Sequence, residues 1–190
     1  APTPDEGVRR LVSPDGEQGF PGEVEGEVRY RVEGRVVRVE MTATADAPTV
    51  INLTNPAYFN LDGEGSGTVD DHVLAIPADE YTPVDATAIP VGGHAPVAGT
   101  PFDFRDPAPL GPALRRDHPQ LLDAHGIDHN YVVRGTGLRS HATLVSPRSG
   151  IALELRSDQP GLQVYTGNFL DGSNPSTGGG RYRQGDGIAL

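Results

Sequence analysis

Three observations predict an all-β, antiparallel fold. Short segments in which polar and apolar residues alternate recur along the chain, and glycine- and proline-rich turns separate them. The one helix-like stretch, residues 112–122, is short and is interrupted by Pro119. Many short strands with turns at regular intervals are typical of β-sandwiches and barrels. Because the 190 residues contain no internal repeat and no linker, we expect a single domain over residues 1–190.

The predicted elements follow in chain order. Residues 1–22 are rich in turn-forming residues and are predicted to be a turn-rich lead-in. From Glu23 to Asp46, apolar and charged residues alternate on either side of Glu33-Gly34, which predicts a β-hairpin with one solvated face. Further strands are predicted at six segments: TVINLT (49–54), HVLAIP (72–77), NYVVRG (130–135), HATLVSP (141–147), IALELRS (151–157) and LQVYTGN (162–168).

The composition excludes several functional classes. The formal net charge is −11 and every basic residue is Arg, so nucleic-acid and anionic-membrane partners are not expected, whereas a neutral or cationic ligand fits. The chain has no Cys and therefore no thiolate nucleophile and no cysteine zinc site. No apolar run approaches the roughly 18 residues that span a bilayer, and no apolar signal segment is present. These absences slightly favour the cytoplasm, and the oligomeric state is not predicted.

Most local motifs have a structural explanation. The stretch STGGGRYRQGDG (176–187) lacks a GK[ST] ending and is predicted to be a flexible loop rather than a phosphate-binding one. The sequon NLT (52–54) lies in a predicted strand, so we interpret it as a chance match. The histidines show no metal-ligand spacing, and a solvated or structurally bonded imidazole is favoured for each.

Two segments carry more chemical information. In GIDHNYVV (126–133), Asp128 and Asn130 either line the mouth of a site just before a strand or cap the preceding turn, and the segment alone favours capping. In DQPGLQVYTGNFLDG (158–172), amides and aromatic residues such as Gln163 and Tyr165 are of the types that bind sugar hydroxyls and stack on sugar faces. The same residue types are common at ordinary β-edges, so neither segment is decisive alone.

Taken together and in this order, the segments resemble the aldose 1-epimerases, the galactose mutarotase family. The resemblance rests on NLTNPAYFNLDGEGSG, GTPFDFR, GIDHNYVV and QPGLQVYTGNFLDG, and it extends from about Ser13 to Leu190. It implies an antiparallel β-supersandwich, of which this chain is similar to the central and C-terminal portion. It also implies an enzyme that needs no cofactor or metal and takes a monosaccharide as its partner. We accordingly expect sequence to be missing at both ends.

The resemblance also implies an acid–base mechanism, and this chain departs from the family at both catalytic positions. Interconverting the α and β anomers of an aldohexose requires one group to protonate the ring oxygen and another to remove the proton of the anomeric hydroxyl. In the family the acid is a His in a segment that commonly reads Asn-Leu-Thr-Asn-His, and here Pro56 occupies that position. The base is a Glu near the C-terminus, expected about one residue beyond Leu190. Neither catalytic group is therefore intact in this chain.

The sugar-binding positions of the family are partly retained. Asp128 matches the family's sugar-binding Asp, Gln163 matches a sugar-binding amide, and Tyr58 is expected to line the pocket. His129 lies near the expected pocket, although its sequence context does not suggest that it replaces the acid. Three alternatives stay open: an impaired aldose 1-epimerase acting on hexoses such as galactose or glucose, a non-catalytic sugar-binding relative, and a gene remnant without a ligand. A glycosidase is less favoured because no pair of facing carboxylates can be nominated.

Overall fold

Antiparallel strands make up most of the regular structure in residues 5–190, the part of the chain that this computed structural model describes. The chain divides into two compact units, Ala1–Asn55 and Pro56–Leu190. All strand pairs in both units are antiparallel, which confirms the predicted fold class. The expectation of one domain over residues 1–190 stays a prediction.

The first unit is built on a three-stranded sheet of order β1-β2-β3. Its elements are β1 (Glu6–Ser13), a 3₁₀ helix (Glu17–Gly19), β2 (Val24–Glu33) and β3 (Val36–Ala45). Strands β2 and β3 pair over their full length, from Val24 opposite Ala45 to Glu33 opposite Val36, so the predicted hairpin is confirmed.

Two predictions for the first part of the chain are wrong. Residues 6–13, which were expected to belong to a turn-rich lead-in, form β1, and this strand pairs with β2 along its whole length. Residues 1–4 of the predicted lead-in lie outside the described part. Residues 49–54, predicted to be a strand, have no regular structure. Pro48 and Pro56 flank this segment, and each removes a backbone donor and restricts its neighbour.

The second unit contains three sheets. Their orders are β11-β10-β5-β8, β4-β15-β12-β9-β6-β7 and β13-β14. The strands are β4 (Tyr58–Phe59), β5 (Val73–Ala75), β6 (Ala78–Tyr81), β7 (Ala95–Pro96), β8 (Ala108–Pro109), β9 (Asp128–Val133), β10 (Arg139–Val145), β11 (Ala152–Ser157), β12 (Gly161–Tyr165), β13 (Asp171–Pro175), β14 (Arg181–Arg183) and β15 (Ile188–Ala189). The expected glycine-rich loop at 176–187 is thus partly strand, because β14 lies within it and pairs with β13.

Proline divides the helix-like stretch into two short helices, α1 (Leu110–Leu114) and α2 (Pro119–Ala124). Pro119 occupies the first turn of α2. A backbone N–H at this position would have no acceptor within the helix, so the lack of one in proline costs no hydrogen bond. The ring of His118 caps this helix by accepting a hydrogen bond from the Gln120 N–H. No helix within residues 5–190 has the length and apolar character needed to cross a membrane.

The core of the second unit is built from one face of each large sheet. Leu74 of β5, Leu144 of β10, Tyr131 of β9 and Val164 of β12 all belong to one cluster of buried apolar residues. Burying such side chains stabilises the fold by roughly 1.5–3 kcal/mol each. Along β9 and β12, every second residue points away from this cluster. The six-stranded sheet therefore has a core face and an open face, and the open face carries the candidate site.

Candidate functional site

The register between β9 and β12 brings the polar residues of two distant segments together. Tyr165 lies opposite Asp128 and Gln163 lies opposite Asn130, so all four side chains point to the open face. The Gln163 amide donates a hydrogen bond of 2.7 Å from Nε2 to Oδ1 of Asp128. Asp128 keeps its second carboxylate oxygen for further donors. The pair can therefore accept hydrogen bonds from one hydroxyl-rich ligand and donate to it.

Tyr58 joins this pair through the neighbouring strand. It lies opposite Ala189 of β15, and Ala189 lies opposite Tyr165 on the other side. The Tyr58 and Tyr165 rings meet edge to face with centroids 6.0 Å apart. Burial, followed by the nearby Tyr165 and Asp128, raises the pKa of the Tyr58 hydroxyl, so this group stays protonated at neutral pH and can donate. The three predicted positions Tyr58, Asp128 and Gln163 thus share one surface.

A small hollow of about 90 Å³ adjoins the pair. Its walls include Thr82 and Asn130, and Asn130 donates from Nδ2 to the Thr82 hydroxyl over 3.1 Å. Gly161 makes room for this arrangement, because a Cβ on it would lie 2.2 Å from Oδ1 of Asn130. The strand predicted at residues 130–135 begins two residues earlier, at Asp128, so the expectation that Asp128 precedes it is wrong, and Asp128 and Asn130 both lie within β9 with their side chains on the open face.

His129 does not belong to the open face. Its side chain is fully buried, its Nδ1 accepts from the backbone N–H of Asp128 over 3.1 Å, and its Nε2 lies 3.2 Å from Oε1 of Gln120. Burial, assisted by the charge of His118, lowers the pKa of His129 to about 4. His129 is next to Asp128 in the sequence, as expected, but its side chain lies on the opposite face of the sheet from the pocket. Its ring is therefore unable to reach a ligand bound beside Asp128.

Pro56 is exposed, lies two residues before Tyr58 and belongs to a segment without regular structure. A proline side chain has neither a titratable group nor a hydrogen-bond donor. No proton can be transferred from this position.

Sequence reasoning did not find Thr82, and it left Asn130 and Tyr165 as undecided candidates. Thr82 lies in no recognisable motif and reaches Asn130 only because β6 pairs with β9. Tyr165 carried a usable signal, since it is two residues from Gln163 in a strand and so shares its face. Within the described residues, no group of three or more His, Asp or Glu side chains is arranged to hold a metal ion.

Comparison with known sequences gives a consistent set of matches. A family model described as aldose 1-epimerase matches residues 2–190. The galactose mutarotase of Mus musculus is 44% identical over 180 residues, which cover 94% of this chain and 51% of the relative. The aldose 1-epimerase of Haemophilus influenzae is 40% identical over 182 residues, which cover 95% and 53%. The chain therefore spans about half the length of the curated relatives it matches.

Solved structures match over the whole chain. The galactose 1-epimerase of Lactobacillus acidophilus NCFM has a TM-score of 0.84 at 31% identity and is matched over 55% of its own length. An aldose epimerase homologue from C. elegans has a TM-score of 0.85 at 31% identity and is matched over 56% of its length. These matches confirm the β-supersandwich prediction and the predicted likeness to one portion of it.

Proposed function

This chain belongs to the aldose 1-epimerase family, and we propose that it binds an aldohexose, such as galactose or glucose, on the open face of the six-stranded sheet. The reaction is the interconversion of the α and β anomers, in which this chain is impaired because Pro56 stands at the acid position. The observation that carries the proposal is the Asp128–Gln163 pair, held on one face beside Tyr58.

The binding step follows from the chemistry of the three side chains. The Asp128 carboxylate accepts hydrogen bonds from ring hydroxyls, and the Gln163 amide both orients that carboxylate and supplies its own carbonyl oxygen. The protonated Tyr58 hydroxyl adds a donor, and its ring, 48% exposed, offers an apolar surface to the C–H face of a pyranose. A neutral hexose suits this set, because one carboxylate among hydroxyl and amide groups gives no site for an anion.

The proton-transfer steps need two further groups. The acid must protonate the ring oxygen while the base takes the proton of the anomeric hydroxyl, after which the open chain rotates and closes again. Pro56 supplies no proton, and loss of the acid alone lowers the rate of such reactions by about 10² to 10⁴. Ala189 lies opposite Tyr165 in an antiparallel pair. If β15 continued in the same register, the expected base position directly after Leu190 would lie two residues further along, opposite Gln163. That register would place its side chain on the open face.

A binding experiment tests the recognition half of the proposal. Isothermal titration with D-galactose and D-glucose should give saturable binding to the folded chain. Asp128→Asn should weaken the affinity by about tenfold or more, because hydrogen bonds to charged groups contribute roughly 1.5–3 kcal/mol. Asp123→Asn, on the exposed face of α2, makes the same charge change away from the site and should leave the affinity as it is. Equal effects of the two substitutions would overturn the assignment of Asp128.

A polarimetric experiment tests the catalytic half. The optical rotation of freshly dissolved α-D-galactose should relax at the rate of the buffer blank. In a chain extended by one Glu after Leu190, Pro56→His should accelerate the relaxation by about 10²-fold over the matched Pro56→Ala extension. Relaxation of the unaltered chain faster than the blank would contradict the impairment. Binding without turnover supports the non-catalytic alternative, and the absence of both supports a gene remnant.

A further inference from the structure

We propose that Gln120 is a positioning residue for the hexose site, because its side chain replaces backbone pairing beside Asp128 and so keeps the hollow there open. The inference rests on the proposed hexose site and deepens it, since it names a residue that fixes the surroundings of the sugar-binding carboxylate without being one of the groups that bind the sugar. Gln120 lies in the first turn of α2, outside the segments that carry the family resemblance.

The backbone ladder between β6 and β9 stops just before it reaches Asp128. The residue after β6, Thr82, is still in register, since its N–H donates to the Asn130 carbonyl over 2.8 Å. Pairs that exchange backbone hydrogen bonds recur at every second position of an antiparallel ladder, so the next such pair would join Val84 to Asp128. Within residues 5–190, no backbone hydrogen bond joins these two residues.

The Gln120 carboxamide occupies both backbone groups of Val84. Its Oε1 accepts from the Val84 N–H and its Nε2 donates to the Val84 carbonyl, each over 2.7 Å. These are the two hydrogen bonds that a strand partner would supply. Reversing the amide would set its NH₂ group against the Val84 N–H, so these contacts fix its orientation.

His129 occupies the other side of the missing pair. Its Nδ1 accepts from the backbone N–H of Asp128 over 3.1 Å, so the proton of this neutral ring lies on Nε2. That Nε2 lies 3.2 Å from Oε1 of Gln120 and donates to it. Two side chains, those of Gln120 and His129, therefore stand where one pair of backbone hydrogen bonds would otherwise join the two segments. We call them the side-chain bridge.

The side-chain bridge accounts for the hollow on the open face. Paired strands lie about 4.8 Å apart, and a carboxamide and an imidazole in series need more space than that. The backbone of Val84 is therefore separated from that of Asp128, and both residues line the hollow, together with Asn130 and Gln163. A continuous ladder at this point would close the space beside the carboxylate.

The bridge also fixes the loop that forms the far wall of the hollow. Val84 forms a β-bridge with Pro90, and the Asp85 N–H donates to the Ile89 carbonyl over 2.9 Å. Ala88 lines the hollow with φ 62°, a conformation that is unfavourable for a residue with a Cβ and that the surrounding structure must maintain. The loop is attached to α2 at Val84, through the bridge.

A preformed hollow favours binding, because a ligand that enters it does not first have to break backbone hydrogen bonds or order a loop. Removing the Gln120 amide leaves the Val84 N–H and carbonyl without their partners. They can then pair directly with Asp128, which narrows the hollow, or leave the loop unattached. Either change lowers the affinity for a hexose, although no group that contacts the sugar has been altered.

Isothermal titration with D-galactose tests this role. Gln120→Met keeps the length of the side chain and removes its hydrogen bonds, so the affinity should fall by about tenfold. Gln184→Met is the matched control. The Gln184 amide is exposed and donates to the backbone carbonyl of His125 over 2.8 Å, so the same exchange is made outside the hollow and should leave the affinity unchanged.

A double substitution separates positioning from a general loss of stability. In the Asp128→Asn background, Gln120→Met should weaken D-galactose binding by less than about twofold, because the group whose surroundings it fixes has already lost its charge. A tenfold loss in both backgrounds would show that Gln120 acts on the whole fold, and this result would overturn the inference. An unaltered affinity in Gln120→Met would overturn it as well.

NMR titration of the imidazole tests the bridge without a ligand. Gln120→Glu keeps an acceptor for His129 and adds a negative charge beside the ring, so it should raise the pKa of His129 from about 4 to about 5 or higher. An unchanged pKa would show that the two side chains are not in contact, and the bridge would be rejected. If the parent chain binds no hexose, the proposed function fails together with this inference, whereas a parent that binds and a Gln120→Met variant that binds equally well reject the inference alone.

Discussion

The adjacent residues Asp128 and His129 show how differently the two faces of one strand treat a titratable side chain. Asp128 lies on the open face of the six-stranded sheet. Its Oδ1 accepts a hydrogen bond from Gln163, and its second oxygen is available to a ligand. His129 lies on the core face, where it is completely buried and its pKa falls to about 4. A shift of one residue along a strand thus separates a group available for binding from one that is locked into the fold.

The surroundings of His129 explain why it is kept neutral. The Phe102 ring lies 4.6 Å from its ring, and Tyr81 stacks on Phe102 at 4.4 Å and meets the His129 ring edge to face at 5.6 Å. The Gln120 carboxamide connects this cluster to the backbone, since it exchanges two hydrogen bonds of 2.7 Å with Val84. No carboxylate is among these contacts, so the imidazolium form would be buried without a counterion, which is costly.

The largest expected effect on stability comes from removing the buried imidazole of His129. His129→Ala should lower the free energy of unfolding by about 3 kcal/mol, because it opens a cavity among packed rings and leaves Gln120 with one partner fewer. Urea denaturation of the purified chain measures this change.

Asp128→Ala is the matched control one residue away, and it should change stability by less than about 1 kcal/mol because its face is open. Similar losses for the two variants would show that both faces of β9 are packed.

The second largest expected effect is a loss of stability in mild acid. A histidine in the unfolded chain takes up a proton near pH 6.5, whereas His129 in the fold does so only near pH 4. The unfolded state therefore binds more protons between these values, and stability falls as the pH is lowered through this window. From pH 7 to pH 5, His129 alone should cost about 2 kcal/mol.

Urea midpoints at pH 7, 6 and 5 measure this dependence. Burial also lowers the pKa values of His72, His118 and His141, and these add to it with the same sign. His129→Gln should flatten the dependence, whereas His94→Gln, at a side chain 48% exposed beside Glu80, should not. A slope that survives His129→Gln would show that the other histidines carry it.

Local pattern predicts the long strands of this fold but not its short ones. Strands β9 to β12 coincide closely with the alternating segments, because a strand with one buried face must alternate. The two-residue strands β4 and β15 have no pattern to detect and depend on partners far away in sequence. Strand β1, with its adjacent Arg9 and Arg10, was missed for a different reason, since its ladder to β2 overrides a weak local signal.

The residues of the site could be predicted from the sequence, but their arrangement in space could not. Asp128, Gln163 and Tyr58 follow from the family motifs, but their proximity depends on strand register, since Asp128 and Gln163 are 35 residues apart and Tyr58 is joined to them through β15. The open-face partner Thr82 is 48 residues from Asn130 and could not be assigned without that register. The core position of His129 could have been found, since DHNYVV alternates and places His with Tyr131 and Val133.

The smallest expected effect tests whether the Asp128–Gln163 pair acts as a unit. Gln163→Ala should weaken hexose binding by about threefold to tenfold, less than Asp128→Asn, because it removes a neutral hydrogen-bonding group and leaves the carboxylate in place. Stability should change by less than about 0.5 kcal/mol, since Gln163 is exposed. The chain supplies its own control in Gln159, whose exposed amide donates to the Asp158 carboxylate over 2.9 Å. Gln159→Ala breaks a bond of the same type outside the strand face and should leave the titration curve unchanged. If both variants bind hexose as the parent chain does, Gln163 only covers Asp128, and recognition depends on the carboxylate alone.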